Sequence, residues 1–152
     1  MPKIDIGAAR ERVGHSYPEP YRSRTGAKHR RVLGEAAGLT QFGVNLSTLP
    51  PGTQSALRHW HENEDEFVWI VAGEVVLVED GAETVLRPGD CAGFPAGVAN
   101  GHHLVNRSDQ PATFLEVGTR APAERGHYPD HDLAYLRDGE TVSYTRKDGS
   151  PA

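Results

Sequence analysis

Two histidines and a nearby glutamate carry the clearest metal-binding chemistry in this sequence. His59 and His61 flank Trp60, and Glu66 follows after an acidic turn. If residues 56–61 form a strand, alternation places both imidazoles on one face and Trp60 on the other. Two imidazoles and a carboxylate just beyond the next turn can converge on one metal ion. The alternative is a pair of exposed strand histidines followed by a solvated turn.

A further metal ligand is available far downstream. His102 and His103 follow Gly101 and precede Asn106. On a strand, His102 and Asn106 share one face, and His103 lies on the other. Only one of the two histidines can therefore join His59 and His61, and both remain candidates at this point.

A second group of metal-binding residue types lies in the C-terminal part of the chain, at His127, Asp130, His131 and Asp132. No spaced framework in the sequence holds these four side chains together. The favoured interpretation is a turn at residues 128–130 that packs the tail across the body of the protein, and the alternative is a second metal site.

The composition favours a single soluble domain made of short strands. The chain has 152 residues, and its 17 glycines and 11 prolines fall between short apolar runs. The one cysteine, Cys91, excludes an internal disulfide and is interpreted as a small buried residue. No apolar run resembles a signal or is long enough for a bilayer, so we expect a cytoplasmic protein without membrane contact. The net charge of -5 argues against nucleic-acid binding.

One basic segment departs from this acidic balance. Residues 22–31 read RSRTGAKHRR and contain no acidic residue. Such charge runs usually keep a segment in water, so a solvated arm is the simpler interpretation. The alternative is a set of cations that closes over an anionic substrate or pairs with another subunit.

The spacing of turn signals predicts an all-β sandwich or barrel. Residues 1–31 form an extended arm with a short helix over residues 8–13, and residues 125–132 are turn-like. In 41–49, Phe42, Val44 and Leu46 share one face. The predicted strands cover residues 32–37, 41–49, 56–61, 66–72, 75–78, 83–86, 91–94, 102–106, 112–118, 133–136 and 141–146.

Two spaced motifs resemble those of the cupins, small β-barrels of jelly-roll type. The first motif is matched by Gly52, His59, His61, Glu66 and Gly73, with six residues rather than five before the first histidine. Glu66 is preferred to its acidic neighbours because it keeps the six-residue spacing to the final glycine. The resemblance covers roughly residues 40–119.

The second cupin motif is matched by Gly89, Pro95, Gly97, His102 and Asn106. Four residues, rather than two, separate Gly97 from His102, and Asn100 occupies the usual histidine position. The register to Asn106 favours His102, with a bulge or longer turn at residues 98–101, and leaves His103 as the second choice.

The resemblance implies one cupin domain over residues 1–152. It consists of an N-terminal arm (1–31), a jelly-roll barrel core (32–119) and a C-terminal tail that packs on the barrel (120–152). It also implies one divalent ion bound by His59, His61, Glu66 and His102. Three imidazoles and a carboxylate suit Zn, Mn, Fe, Ni, Co or Cu; the alternative is a cupin framework without metal. Candidates to support the site are Asn45, Gln54 and Asn100, with Trp69 and Phe94 as apolar walls and Asn106 as a structural hydrogen-bonding residue.

Fold alone does not define the function of a cupin. We expect a metal-dependent enzyme for a small polar molecule, either a sugar-like isomerase or lyase or an oxygenase, and favour sugar or sugar-phosphate isomerisation. The sequence identifies no catalytic residue beyond the ligands. The alternatives are a cupin that only binds or senses a small ligand and a metal that only stabilises the fold. Trp60, the apolar run 67–71 and the arm favour a homodimer.

Overall fold

The computed structural model describes residues 3–152, which form short strands and two short helices, α1 (Tyr21–Thr25) and α2 (Leu33–Ala36). No helix in this range is long and apolar enough to cross a membrane. The strands are β1 (Glu11–Val13), β2 (His29–Val32), β3 (Phe42–Leu49), β4 (Trp60–His61), β5 (Glu66–Ala72), β6 (Val75–Glu79), β7 (Ala82–Leu86), β8 (Cys91–Phe94), β9 (His103–Val105), β10 (Ala112–Thr119), β11 (Ala123–His127), β12 (Ala134–Asp138) and β13 (Thr141–Thr145).

Antiparallel pairing assembles these strands into three sheets. Their strand orders are β1-β2-β3-β10-β5-β8, β13-β12-β11-β4 and β7-β6-β9. Isolated bridges join Gln54 to Val105 and His59 to His102 between these sheets. The result is a jelly-roll β-barrel, so the predicted all-β fold class is confirmed.

The apolar core fills one end of the barrel, between the six-stranded and three-stranded sheets. Inward-facing positions alternate along each strand because successive side chains point to opposite faces of a sheet. Burying each large apolar side chain contributes about 1.5–3 kcal/mol. The buried residues of this core are Leu49, Val68, Ile70, Val75, Leu77, Leu86, Leu104, Ala112 and Phe114.

The N-terminal arm contributes strands β1 and β2 to the six-stranded sheet. The helix predicted over residues 8–13 is wrong, because Glu11–Val13 pairs as a strand with β2. The strand predicted over 32–37 is wrong beyond Val32, where α2 begins. Both segments are too short for local preference to decide their structure against tertiary pairing.

A second apolar cluster anchors the arm to the tail. It contains Tyr17, Leu57, Tyr128 and Leu133. The Tyr17 hydroxyl accepts a hydrogen bond from the Leu57 N–H at 3.3 Å, and its ring meets Tyr128 edge-to-face at 5.7 Å. The arm is therefore fixed against the open end of the barrel.

The outer face of the six-stranded sheet is unusually apolar. Phe67, Trp69 and Val71 point outward from β5, and Trp69 is 52% exposed. Cys91 lies opposite Trp69 in the pairing of β5 with β8 and is also exposed. The prediction of a buried Cys91 is wrong because alternation along β8 places it outside, and Trp69 does not line the site.

Candidate metal centre

The two predicted histidine segments lie side by side. His59 and His102 exchange both backbone hydrogen bonds, at 3.1 and 2.9 Å. His61 lies two residues further along the same segment, in β4, and Glu66 opens β5. The structure thus brings together the four side chains that the two motifs contribute.

Glu66 occupies the centre of this cluster. Its Oε2 lies 2.9 Å from His102 Nε2, 3.5 Å from His59 Nε2 and 3.6 Å from His61 Nε2. Potential ligand atoms of His59, His61 and Glu66 lie within 4.8 Å of one another. Three imidazoles therefore converge on a single carboxylate oxygen.

The structure distinguishes His102 from its neighbour. His103 Nδ1 lies 2.9 Å from the Ala56 carbonyl oxygen, and its strand position points away from Glu66. The extra residues 98–101 form a loop in which Asn100 binds the Glu79 carboxylate at 2.8 Å and accepts the Asp80 N–H at 3.0 Å. Asn100 thus fixes the loop to the β6–β7 hairpin, and His102 reaches the cluster.

Each histidine of the cluster has a second partner at Nδ1. His59 Nδ1 lies 2.8 Å from Leu57 O, His61 Nδ1 3.2 Å from a Glu124 oxygen, and His102 Nδ1 3.3 Å from Asn100 O. A neutral imidazole has one N–H, so in the tautomer that carries it at Nδ1, the Nε2 lone pair is free to bind a metal ion. Three such nitrogen atoms and the Glu66 carboxylate are a donor set that fits a divalent transition metal ion.

The pKa values of Glu66, His59 and His61 are shifted by their burial and by their contacts with one another. Burial alone would raise the pKa of Glu66, but hydrogen bonds from His102 and His59 hold the pKa well below its usual range. Burial lowers the pKa of His61. Burial also opposes charge on His59, but the Glu66 carboxylate outweighs it and raises that pKa.

Glu124, in β11, is a site residue that the sequence did not reveal. Besides His61, its carboxylate accepts the backbone N–H groups of Glu62 and Asn63 at 2.9 and 2.8 Å. Glu64 lies nearby but accepts from Arg137 and from the Ala121 N–H. Ligand atoms of His61, Glu64 and Glu124 also lie within 4.8 Å of one another. Because Glu124 accepts three protein donors, we assign it to supporting His61.

No sequence signal marks Glu124, which lies in no predicted strand or motif, just before the segment 125–132 that was predicted to be turn-like. Ala123–His127 is instead a strand whose pairing with β4 brings Glu124 under His61. The other polar residues of this segment do not come together: His127 binds Glu62, Asp130 binds Arg58, His131 contacts the Tyr21 ring and Asp132 accepts the Lys147 N–H.

The cluster opens into a cavity of about 480 Å³. Phe94 forms one wall and stacks on the His102 ring with centroids 3.6 Å apart, while Gln54 is not among the lining residues. In β3, Asn45 points into the cavity. The face that carries Phe42, Val44 and Leu46 therefore points to the outside of the barrel, and Phe42 is exposed.

A buried ion pair lies in the same cavity. Glu116 accepts hydrogen bonds from Lys28 Nζ at 3.1 Å, Ser47 Oγ at 2.9 Å and Asn45 Nδ2 at 3.3 Å. Lys28 is only 6% exposed, and burial lowers its pKa. The basic segment 22–31 therefore has two parts with different surroundings. Lys28 and Arg30 line the cavity, whereas Arg22 and Arg24 are exposed to solvent.

Comparison with known proteins assigns this chain to one family. The cupin domain model matches residues 45–118. A solved structure from Silicibacter pomeroyi, named a sugar phosphate isomerase of the cupin superfamily, is 49% identical, with 99% of this chain and 96% of that chain covered and a TM-score of 0.96. The protein belongs to the cupin superfamily.

Two further relatives are more distant. A protein from Acidithiobacillus ferrooxidans, provisionally named a sugar phosphate isomerase, is 25% identical, with 83% of this chain and 80% of that chain covered and a TM-score of 0.76. Oxalate decarboxylase OxdC of Bacillus subtilis is 32% identical over 93 residues. That match covers 58% of this chain but 22% of the decarboxylase, so the chain spans about a fifth of that relative.

Proposed function

We propose that this cupin is a metal-dependent isomerase of a sugar phosphate, with His59, His61, Glu66 and His102 binding one divalent transition metal ion. The observation that carries the proposal is the convergence of three Nδ1-anchored imidazoles on Glu66. Similarity to a named sugar phosphate isomerase over nearly the whole chain supports the reaction class.

A bound metal ion supplies a Lewis acid that polarises a carbonyl next to a hydroxyl. The chain's own groups do the rest. The Lys28–Glu116 pair lines the same cavity and can hold a proton at Nζ for exchange with the substrate. The rings of Phe94 and Tyr128 lie beside His102 and His59, with centroids 3.6 and 6.0 Å apart, and provide apolar walls for the cluster. Isomerisation requires such proton transfer between neighbouring carbons, and this polar pair favours catalysis over simple ligand binding.

Metal analysis by mass spectrometry tests the ligand set. We expect about one transition metal ion per chain, lost in His59→Ala and His102→Ala and retained in His103→Ala. The third variant is a matched control because His103 is adjacent in sequence but faces Ala56. Full metal content in His102→Ala would contradict the ligand assignment.

The reaction is tested with the metal-loaded protein and a panel of aldose and ketose phosphates, followed by NMR. Interconversion that disappears in His59→Ala supports the proposal. Consumption of dioxygen instead of isomerisation would assign the site to an oxygenase. Binding without turnover of any panel member would assign the protein to the ligand-binding cupins.

We also propose that the protein forms a homodimer through the outer face of its six-stranded sheet. The apolar side chains on this face form a continuous row across three neighbouring strands, β3, β10 and β5. In the antiparallel register, Leu46 lies beside Leu115 and Leu115 lies beside Trp69. Exposed contiguous apolar surface of this kind marks protein contacts. Because the same strands position Glu66 and Glu116 on the inner face, a dimer here leaves the cavity open.

A further inference from the structure

Two buried nitrogen atoms in the cavity have no hydrogen-bond partner among residues 3–152. His15 Nε2 and Arg30 Nε are shielded from solvent and make no hydrogen bond to any atom of residues 3–152. Buried polar atoms in folded proteins are almost always paired, so an orphaned atom calls for an explanation. Both residues line the cavity that contains His59 and His102.

The charges on the cavity wall single out Arg30. Arg12 pairs with Glu35 at 3.2 Å, Lys28 with Glu116 at 3.1 Å, and Arg137 with Glu64 at 2.5 Å. Arg120 lies 3.9 Å from Glu35. Within the described chain, Arg30 is the lining cation without a carboxylate inside 4 Å, and an unpaired, partly buried charge is costly.

The two orphaned groups are held in place. The His15 ring stacks on Tyr17 with centroids 5.3 Å apart and planes 14° apart. Arg30 donates from Nη2 to the Gly14 carbonyl at 3.3 Å, which leaves Nε unpaired. Gly14 also donates to the Lys28 carbonyl at 2.8 Å, so β1 and β2 carry both groups to one wall. Such preorganised donors suit an oxyanion.

We propose that Arg30 and His15 form an oxyanion subsite that binds the phosphate of a phosphomonoester substrate whose carbonyl end lies at the His59–Glu66–His102 cluster. This inference rests on the proposed isomerase function and specifies where its substrate's charge is bound. A guanidinium and an imidazole N–H both donate to phosphate oxygens. A cavity of about 480 Å³ has room for a sugar phosphate.

The pKa of His15 is consistent with this placement. Burial, followed by the positive charges of Lys28 and Arg30, lowers the pKa of His15 to about 4. The anion-free pocket therefore holds a neutral imidazole beside two cations. A bound phosphate dianion reverses the local charge and accepts the N–H of that imidazole without competing with solvent.

The test is a titration with inorganic phosphate at constant ionic strength, followed by calorimetry and ³¹P NMR. Arg30→Gln is expected to weaken phosphate binding by about 10- to 100-fold, the range for a charge-assisted hydrogen bond. Arg31→Gln is the matched control: Arg31 follows on the same strand, but it donates to the Ala9 carbonyl at 3.1 Å and pairs with Glu11. We expect its phosphate affinity to be unchanged.

Equal phosphate affinity in Arg30→Gln and the wild type, or no phosphate binding at millimolar concentrations, would overturn the subsite. If Arg30→Gln does not fold, His15→Ala is judged by the same criterion. The titration is repeated with His102→Ala after chelation. If the chelated His102→Ala variant still binds phosphate, the result supports the subsite. If this variant no longer binds phosphate, the phosphate binds at the metal ion instead.

This experiment separates the subsite from the reaction. Arg30-dependent phosphate binding without turnover of any sugar phosphate upholds the subsite and rejects the isomerase. Turnover whose KM for the sugar phosphate is unchanged in Arg30→Gln upholds the isomerase and rejects the subsite.

Discussion

Glu124 Oε1 lies 3.2 Å from Nδ1 of His61, and Glu124 is only 4% exposed. This contact joins a strand of the C-terminal tail to a histidine of the central cluster. It fixes the ring orientation of His61 and directs Nε2 towards Glu66. Carboxylates in this position usually strengthen the histidine as a metal ligand.

We therefore expect Glu124→Gln to weaken metal binding by about 10- to 100-fold while the four cluster residues stay in place. Competition with a chromophoric chelator measures this affinity. Glu83→Gln is the control, because Glu83 forms an exposed pair with Arg107 far from the cluster. Unchanged metal affinity in Glu124→Gln would contradict the assigned role.

Asn106 is expected to act on stability rather than on the site. Its fully buried amide donates to Leu49 O at 2.9 Å and Gln110 O at 2.8 Å, and accepts the Ser108 N–H at 3.0 Å. Asn106→Ala leaves these groups unpaired, so the free energy of unfolding should fall by about 1–3 kcal/mol per unsatisfied group. Urea denaturation measures the loss. Asn63→Ala, at an exposed position, serves as the comparison, and an equal effect would rule out this role.

The depressed pKa of His15 predicts a specific pH dependence of stability. Lys28, Arg30, Glu116 and His59 are the charged and titratable groups that act on this ring, and its pKa falls from 6.5 to about 4. Between these values the unfolded chain binds the proton and the folded chain does not. The stabilising contribution is therefore complete above pH 6.5 and is lost as the pH falls towards 4.

His15→Gln removes this proton linkage. We expect the variant to lose less stability than the wild type over the same pH range, with both proteins chelated and in phosphate-free buffer. Urea denaturation at a series of pH values gives the two slopes. Identical slopes would show that His15 is not held neutral in the folded protein.

The apolar sheet face predicts the association behaviour. Trp69→Lys introduces a charge at the centre of this face and should weaken a dimer by about 2 kcal/mol or more, as for a central aromatic residue of an interface. Sedimentation velocity at several concentrations detects the shift to monomer. Val142→Lys, at a position 48% exposed on β13, should leave association unchanged. A wild-type monomer would refute the dimer.

The central cluster could be predicted because its residues obey local rules. His59 and His61 share a face through simple alternation, and Glu66 follows one turn later. The register of His102 with Asn106 also singled out the histidine that approaches Glu66. Alternation relates residues within segments of a few residues, whereas the choice of Glu66 and the grouping of all four side chains came from the resemblance to the cupin motifs.

Other residues of the site depend on which strands become neighbours. Glu124 lies just before the segment 125–132 that was predicted to be turn-like, and pairing with β4 and β12 makes residues 123–127 a strand. Lys28 and Arg30 were indistinguishable from the exposed arginines of the same basic run. Pairing of β2 with β3 decides that these two face the cavity.

The sequence by itself determined the all-β class, because turn chemistry acts over short distances, and its two motifs predicted the four residues of the cluster through their resemblance to those of the cupins. Only the tertiary structure decided that His61 contacts Glu124, that Arg30 Nε and His15 Nε2 have no hydrogen-bond partner among residues 3–152, and that Trp69 faces outward. These features depend on residues that lie far apart in the chain, between positions 15 and 124. Strand pairing brings such residues together, and local periodicity does not encode which strands pair.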